Sequence, residues 1–376
     1  MHAGSEVVNG ISGAPLAASG PTRIRLAHAD DLDAIVELAK QAGPGMTTLK
    51  PDRVALEERL HWAAETVQER APLHKQDYVF VLEDLVNARV VGLSAIKAAV
   101  GIDQPFYSFR LGTLVHASKQ ISIVKKFQTM YLSNDMTGSA ELCSLFLLPE
   151  YRTRTNGRLL SKCRLLFLAL FFERFPSHIM AEMRGYQRGD GAVPFWDGFA
   201  KQFFEIDFGT ADALTSDGNK TFIAELMPRY PIYTALLPLE VRDAMGVVHP
   251  QTVPARRLLE QEGLRYNGYI DIFDGGPQLT ASIGELRATR DTTRMLCRVD
   301  DRRDQKLRLI ANPDLRRFSA IVSDGAFSDG QLHLYPSEVA ALGIDCGESA
   351  AALDLNYEPL LKSEPQPTVI RENVAT

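Results

Sequence analysis

The sequence predicts an α+β fold: a twisted mixed sheet flanked by helices, followed by a small strand-rich C-terminal region. Three observations predict it. Amphipathic helical stretches and short alternating strands are interleaved from residue 22 onward, a pattern foreign to all-helical and all-strand chains. The densest unit, residues 141–184, runs strand, polar turn, long apolar helix, strand. From about residue 280 the texture changes to short strands, DG and DQ turns and one brief helix.

The opening MHAGSEVVNGISGAPLAASGPT is rich in Gly, Ala and Ser and reads as a flexible extension over 1–21. It lacks the basic start and apolar run of a signal peptide. In TRIRLAHADDLDAIVELAK, Ile24 and Leu26 alternate as in a strand. Asp30 or Asp31 then caps a helix with Leu32, Ile35, Val36 and Ala39 on one side. A second amphipathic helix is expected from Pro51 to about Arg70, and DYVFVLED and ARVVGLSAI read as two strands joined by a polar turn. YSFRLGTLVH is strand-like, whereas KKFQTMYLSND is looser. ELCSLFLLP is a strand, PEYRTRTNG a turn, RLLSKCRLLFLALFFERF a long helix and HIMAEMRG a strand. FWDGFAKQFFEIDF reads as a helix with an aromatic side, KTFIAELMP as a strand, VHPQTVPARRLLEQEG as a helix ended near Gly263, and YNGYIDIF as a strand. The expected organisation is an extension over 1–21, a main domain over 22–280, a strand-rich region over 281–361 and a loose tail over 362–376.

With 376 residues, 45% apolar and 23% charged, the chain has ample material for a buried core. A net charge of −6 argues against a general nucleic-acid coat. Cys143, Cys163, Cys297 and Cys346 are far apart and form no CxxC, so neither a disulfide framework nor a structural zinc site is expected, and no metal site stands out. The most apolar run, LLFLALFF, is far shorter than the roughly 18 residues that span a bilayer. The expectation is a soluble cytoplasmic protein without membrane or nucleic-acid partners.

Between Tyr151 and Arg164 lie Arg152, Arg154, Arg158, Lys162 and Arg164, with no acidic residue among them. Asn156 and Gly157 stand where strand hands over to helix, and glycine lets backbone approach a ligand closely. A helix N-terminus offers unpaired N–H groups and a positive dipole end, so the segment suits a pyrophosphate or polyphosphate. The other reading is a solvated basic helix start. Neither GxxxxGK[ST] nor GxGxxG is present.

LFLLPEYRTRTNGRLL resembles motif A of the GCN5-related N-acyltransferases, and TVPARRLLEQEGLRYNGY resembles their later NxxAxxLYxxxGFxxxG stretch. In that pattern Thr252 replaces the asparagine, and Leu259 stands where a tyrosine often protonates the leaving thiolate. Longer strings, among them GIDQPFYSFRLGTLVHAS, LSNDMTGSAELCSLFLLP, FIAELMPRYPIY, VVHPQT and YIDIFDGGP, resemble the arginine N-succinyltransferase and arginine/ornithine succinyltransferase family over roughly residues 22–290. The resemblance implies an N-acyltransferase fold whose sheet splays to admit the pantetheine arm of coenzyme A, with room for a second such half from residues 1–135 or from 205–248. It implies succinyl transfer from succinyl-CoA, as co-substrate and without a tightly bound cofactor, to the α-amino group of L-arginine. It implies His249 as catalytic residue and Leu145 as a succinyl-CoA contact, with Arg152, Arg154, Asn156, Gly157 and Arg158 on the coenzyme's phosphates. Two alternatives stand beside it: an ornithine or mixed-specificity subunit, and an inactive acyl-CoA-binding regulator.

The chemistry also has requirements of its own. Amine attack on a thioester needs loss of the amine's proton, support for an oxyanion and a proton for the thiolate. His249, just before a helix, titrates in the right range for either proton step. It is assigned the donor role because Leu259 has no hydroxyl; the alternatives are that it deprotonates the incoming ammonium while water protonates the thiolate, or that it merely caps the helix or supports a neighbouring site residue. Glu141, with Asp135 competing, is the candidate for attracting the substrate's ammonium or guanidinium, and His116 is a candidate for the acyl pocket. Arg110 and Arg184 are both candidates for the succinyl carboxylate. Cys143 and the aromatic set Phe195, Trp196, Phe199, Phe203 and Phe204 read as packing residues. A homo-oligomer or an assembly with a related subunit is open.

Overall fold

The computed structural model describes residues 21–43, 46, 48–211 and 221–356, so the N-terminal extension and the tail lie outside the described residues. The chain begins with β1 (Thr22–Leu26), α1 (Leu32–Ala42), α2 (Arg53–Val67), β2 (Asp77–Asp84) and β3 (Arg89–Lys97). It continues with β4 (Ser108–Ser118), β5 (Ile123–Ser133), β6 (Ala140–Leu147), α3 (Arg154–Leu170) and β7 (His178–Glu182). An aromatic helical segment, Trp196–Phe204, leads to α4 (Thr221–Leu226), β8 (Ile232–Tyr233), α5 (Leu239–Ala244), α6 (Val253–Glu262), β9 (Arg265–Ile270) and β10 (Pro277–Ser282). The C-terminal part holds α7 (Arg287–Asp291), β11 (Thr293–Val299), β12 (Arg303–Ala311), β13 (Ser319–Gly325), β14 (Phe327–Ser328), β15 (Gln331–Leu334), α8 (Pro336–Leu342) and β16 (Ser349–Asp354).

All described strands join one mixed sheet in the order β14-β15-β11-β16-β12-β13-β1-β2-β3-β6-β7-β10-β9-β4-β5-β8. The C-terminal strands add to it through β13, which pairs antiparallel with β1 at Ile24 and Ala320. β2 and β3 are buried along nearly their whole length, because helices cover both faces. Alternation of side chains turns Tyr78 and Phe80 of β2 toward α3, where both rings meet Phe167. Asp77 faces the other way and binds Arg59 of α2 at 2.8 Å. The covering helices are thus α3 on one face and α1 with α2 on the other.

Two local expectations are corrected. KTFIAELMP is helix α4 rather than a strand. Ile223 and Met227, four residues apart, are both buried in the aromatic cluster around Trp196; so short an apolar run does not by itself distinguish strand from helix. The turn expected to reach Gly157 ends earlier, because Thr153 caps α3 and the helix starts at Arg154. The looser residues 123–133 pair along their full length with β4 as β5. The aromatic set Phe195, Trp196, Phe199, Phe203 and Phe204 is core, with Trp196 stacked on Phe204 at 5.6 Å.

Candidate active site

β6 and β7 are parallel neighbours, yet they pair only at Ala140 with Ile179 and at Glu141 with Met180. Beyond Glu141 the strands part, leaving one edge of β6 from Leu142 to Leu147 without a β7 partner. The other edge stays bound to β3, with a register shift between Leu93 and Ala95. The shift is a bulge centred on Ser144, whose φ of 54° is left-handed. Its side chain explains how this conformation is held: Ser144 Oγ donates to the Thr48 carbonyl at 2.9 Å and accepts from Arg59 at 2.9 Å, while Thr48 Oγ1 accepts from the Ser144 N–H at 3.1 Å. The loop between α1 and α2 therefore pins the bulge. Leu145, half-buried, follows directly on the diverging strand. The result is a wedge whose unpaired strand edge suits the amides of a pantetheine arm.

At the far end of β6 the chain enters α3. The Asn156 N–H is capped by Thr153 Oγ1 at 3.1 Å and the Gly157 N–H bonds the Thr153 carbonyl at 3.2 Å, so neither amide is a free anion donor. The Asn156 side chain is buried, donating to the Tyr151 carbonyl and accepting from Thr22. The outward amides of the first turn are those of Arg154 and Thr155. Gly157 needs no positive φ, and a Cβ placed there would meet nothing within 4 Å. Arg152 is exposed and folds back to the Leu147 carbonyl at 3.0 Å. The side chain of Arg154 lies outside the described residues, and Arg158 donates to Asn356 just past β16.

Two of the five basic residues are not ligand-facing at all. Lys162 is 1% exposed and bound to Glu262 at 2.6 Å, and Glu262 is shared with Arg287 at 2.9 Å. Arg164, 2% exposed, donates to the carbonyls of Ser161 and Cys143. Helical periodicity turns both into the core side of α3.

β7 runs on as Met183–Arg184–Gly185, where Gly185 bridges Val248 and the His249 N–H donates to the Arg184 carbonyl at 2.8 Å. His249 is thereby held at the end of the strand from which the wedge opens. Its Nδ1 accepts from the Gln251 N–H at 3.2 Å, which places the proton of the neutral ring on Nε2. Burial, then the nearby Arg184 charge, lower its pKa below the usual histidine range. The junction is built on Asp274, whose carboxylate accepts from the Gly185 N–H at 2.6 Å and the Gly276 N–H at 2.8 Å. A Cβ at Gly185 would collide with Asp274, and one at Gly276 with the Met183 carbonyl. Burial and the adjacent Asp271 raise the Asp274 carboxyl well above the ordinary range, outweighing those two donors.

On the α1–α2 face, Asp77, Lys97, Glu141 and Met180 stand directly opposite one another across four strands. Glu141 is buried at the point where β6 and β7 part. Met180 continues the row to Thr280 of β10, which lines a polar cavity of about 770 Å³ together with Asp135, Arg110, Tyr269 and His178. Asp135 accepts from the Tyr269 hydroxyl at 2.9 Å. Burial holds the Cys143 thiol up at about 11, which removes it as a nucleophile at neutral pH. His116 sits on the exposed far half of the β4–β5 hairpin, bonded to the Tyr233 hydroxyl at 3.0 Å. Among the described residues there is no cluster of three or more His, Cys, Asp or Glu able to hold a metal, and no helix long and apolar enough to cross a membrane.

Sequence reasoning missed Arg59, Thr48 and the Asp274 junction. The glycine-bearing strings RG at 184–185 and DGG at 274–276 were the available signal for the junction, whereas the bulge partners come from a loop with no motif.

Comparison with known proteins accords with this geometry. Residues 22–288 match the family model described as arginine N-succinyltransferase beta subunit. The chain is 46% identical over 336 residues to an arginine N-succinyltransferase of Yersinia enterocolitica, covering 89% of this chain and 97% of that one. It is 44% identical over 339 residues to the same enzyme of Escherichia coli, covering 89% and 98%. The solved arginine/ornithine succinyltransferase subunit AI of Pseudomonas aeruginosa superposes with a TM-score of 0.82 at 33% identity, covering 90% of this chain and 100% of that one. By the match over residues 22–288 and by relatives of this identity and coverage, the chain belongs to the arginine N-succinyltransferase family.

Proposed function

We propose that the protein transfers the succinyl group of succinyl-CoA to the α-amino group of L-arginine, giving N2-succinyl-L-arginine and CoA. The observation that carries the reading is the wedge between β6 and β7, with the α3 N-terminus at one end and His249 and Glu141 at its edges. The pantetheine arm runs along the open edge of β6 past Leu145, and the phosphates meet the Arg154 and Thr155 amides, with Arg152 near by. Glu141 draws the acceptor's ammonium toward the thioester. Amine attack forms the N–C bond and the C–S bond then breaks. The acceptor gives up two protons between ammonium and amide; one ends on the CoA sulfur and the other in solvent. His249 faces the sulfur through its Nε2–H, which hydrogen-bonds the departing thiolate, because the Gln251 N–H occupies Nδ1; the thiolate's proton comes from the acceptor's ammonium by way of water. The reaction is placed in the cytoplasm, with succinyl-CoA as a diffusing co-substrate and no tightly bound cofactor.

A thiol-release assay tests the reading by comparing succinyl-CoA with acetyl-CoA, and arginine with ornithine, lysine and no amine. Fastest release is expected for succinyl-CoA with arginine; no amine-dependent release refutes it in favour of an acyl-CoA-binding regulator. Parity of arginine and ornithine assigns the chain to the mixed-specificity members, a reading favoured by its likeness to the Pseudomonas arginine/ornithine succinyltransferase subunit. Assembly with like or related chains is part of the proposal, since the family model and that relative are both named as subunits. Sedimentation at several concentrations tests it.

A further inference from the structure

The reaction involves two carboxylates, one on the acceptor's α-carbon and one at the end of the succinyl chain. The cavity on the Glu141 face is lined by a guanidinium, that of Arg110. Arg110 of β4 and Tyr269 of β9 are direct cross-strand partners, so their side chains share a face. The guanidinium carbon of Arg110 lies 4.2 Å from the Tyr269 ring centroid. From the neighbouring wall, Asp135 accepts the Tyr269 hydroxyl proton at 2.9 Å and so fixes the ring on which Arg110 rests. Arg110 is half-buried and makes no ion pair among the described residues. A half-buried guanidinium beside an aromatic ring, without an ion pair among the described residues, offers a planar fork of donors matched to a carboxylate in shape and charge.

Position agrees with this. The row Glu141–Met180–Thr280 connects the point where β6 and β7 part to the cavity wall. The acceptor's carboxylate is two bonds from the attacking nitrogen, and the donor's is three bonds from the thioester carbon, so both lie next to the reacting centre. Of the other cations near the wedge, Lys97 has the acids Asp77 and Glu141 as its cross-strand neighbours on both sides. Arg184, beside His249, donates to the neutral Gln187 at 2.5 Å and leaves its buried Nε without a partner among the described residues, but it stands outside the lining of this cavity.

We propose that Arg110, steadied by Tyr269 and Asp135, is the carboxylate receptor of this cavity. The inference rests on the succinyl-transfer reading. The test measures kcat/KM for wild type, Arg110→Met and Arg110→Lys with four substrate pairs: succinyl-CoA or butyryl-CoA as donor, and L-arginine or its decarboxylated analogue agmatine as acceptor. Arg110→Met is expected to lower kcat/KM for succinyl-CoA with L-arginine by about 10- to 100-fold, the scale of a charge-assisted hydrogen-bonded contact. The loss is confined to pairs carrying the recognised carboxylate. Its disappearance with agmatine identifies the acceptor's carboxylate, and its disappearance with butyryl-CoA the donor's. Arg110→Lys recovers part of the loss. An equal loss across all four pairs, or none in any, overturns the proposal. Calorimetric titration of L-arginine and succinyl-CoA into wild type and Arg110→Met decides the point without turnover, so an inactive wild type would sink the succinyl-transfer reading alone. Unchanged affinity for both ligands overturns the carboxylate assignment.

Discussion

Gly157→Ala separates the demands of folding from those of the coenzyme. Gly157 lies in the first turn of α3 with helical backbone, and a methyl group there meets no protein atom within 4 Å. Alanine should therefore raise helix stability by about 0.5–1 kcal/mol, an increase in melting temperature of roughly 0.6–1.3 °C for a protein of this size. With the pyrophosphate on this turn, the same methyl group occupies the surface it approaches. Overpacking of that kind costs about 1–3 kcal/mol, a weakening of CoA binding of roughly 5- to 150-fold. Urea unfolding of the free protein and calorimetry with CoA and with pantetheine, which lacks the pyrophosphate, measure the two effects. A more stable variant that binds CoA poorly and pantetheine normally is the expected result. Unchanged CoA affinity would refute placement of the phosphates on this turn, and a destabilised variant would refute the account of why glycine is there.

His249→Ala should lower kcat by about 10²–10⁴-fold while leaving CoA affinity nearly intact, with a smaller loss for donors whose leaving thiol is more acidic; a loss independent of leaving-group acidity rules out the donor role. Glu262→Ala leaves Lys162 and Arg287 buried without their shared carboxylate and should cost about 3–5 kcal/mol in urea unfolding, whereas a loss below about 1 kcal/mol would show that water reaches the triad. The Asp274 carboxyl has a raised pKa in the folded state, so the folded protein holds a proton that the unfolded chain has released. Its contribution to stability is full below the unfolded value near 3.9 and is lost as pH rises through the folded one. The urea midpoint should therefore fall as pH climbs from about 5 to 9, and Asp271→Asn should flatten that slope by removing the neighbouring charge; an unaltered slope excludes the pair as its source.

The order of elements from β1 to β4, the β6–α3–β7 unit and the family strings were legible in the linear sequence, because periodicity, caps and glycine stops act within a few residues. Leu259, which stands where a tyrosine often supplies the thiolate's proton, is a buried core residue. Local pattern stops short where a side chain's direction is set by distant partners. Lys162 and Arg164 look like members of a basic ligand patch, yet Glu262, nearly 100 residues later, and the Cys143 carbonyl draw them inside. Thr153 takes the Asn156 amide that motif reasoning assigned to phosphate. The bulge of β6 beside the wedge is held by the Thr48 loop and Arg59 meeting Ser144. The seat of His249 depends on Asp274 meeting Gly185. Sequence alone determined which chemistry this chain carries. The tertiary structure decided which amides, cations and carboxylates remain unclaimed by the fold, because hydrogen-bond partners distant in sequence compete for the same donors once the sheet closes around them.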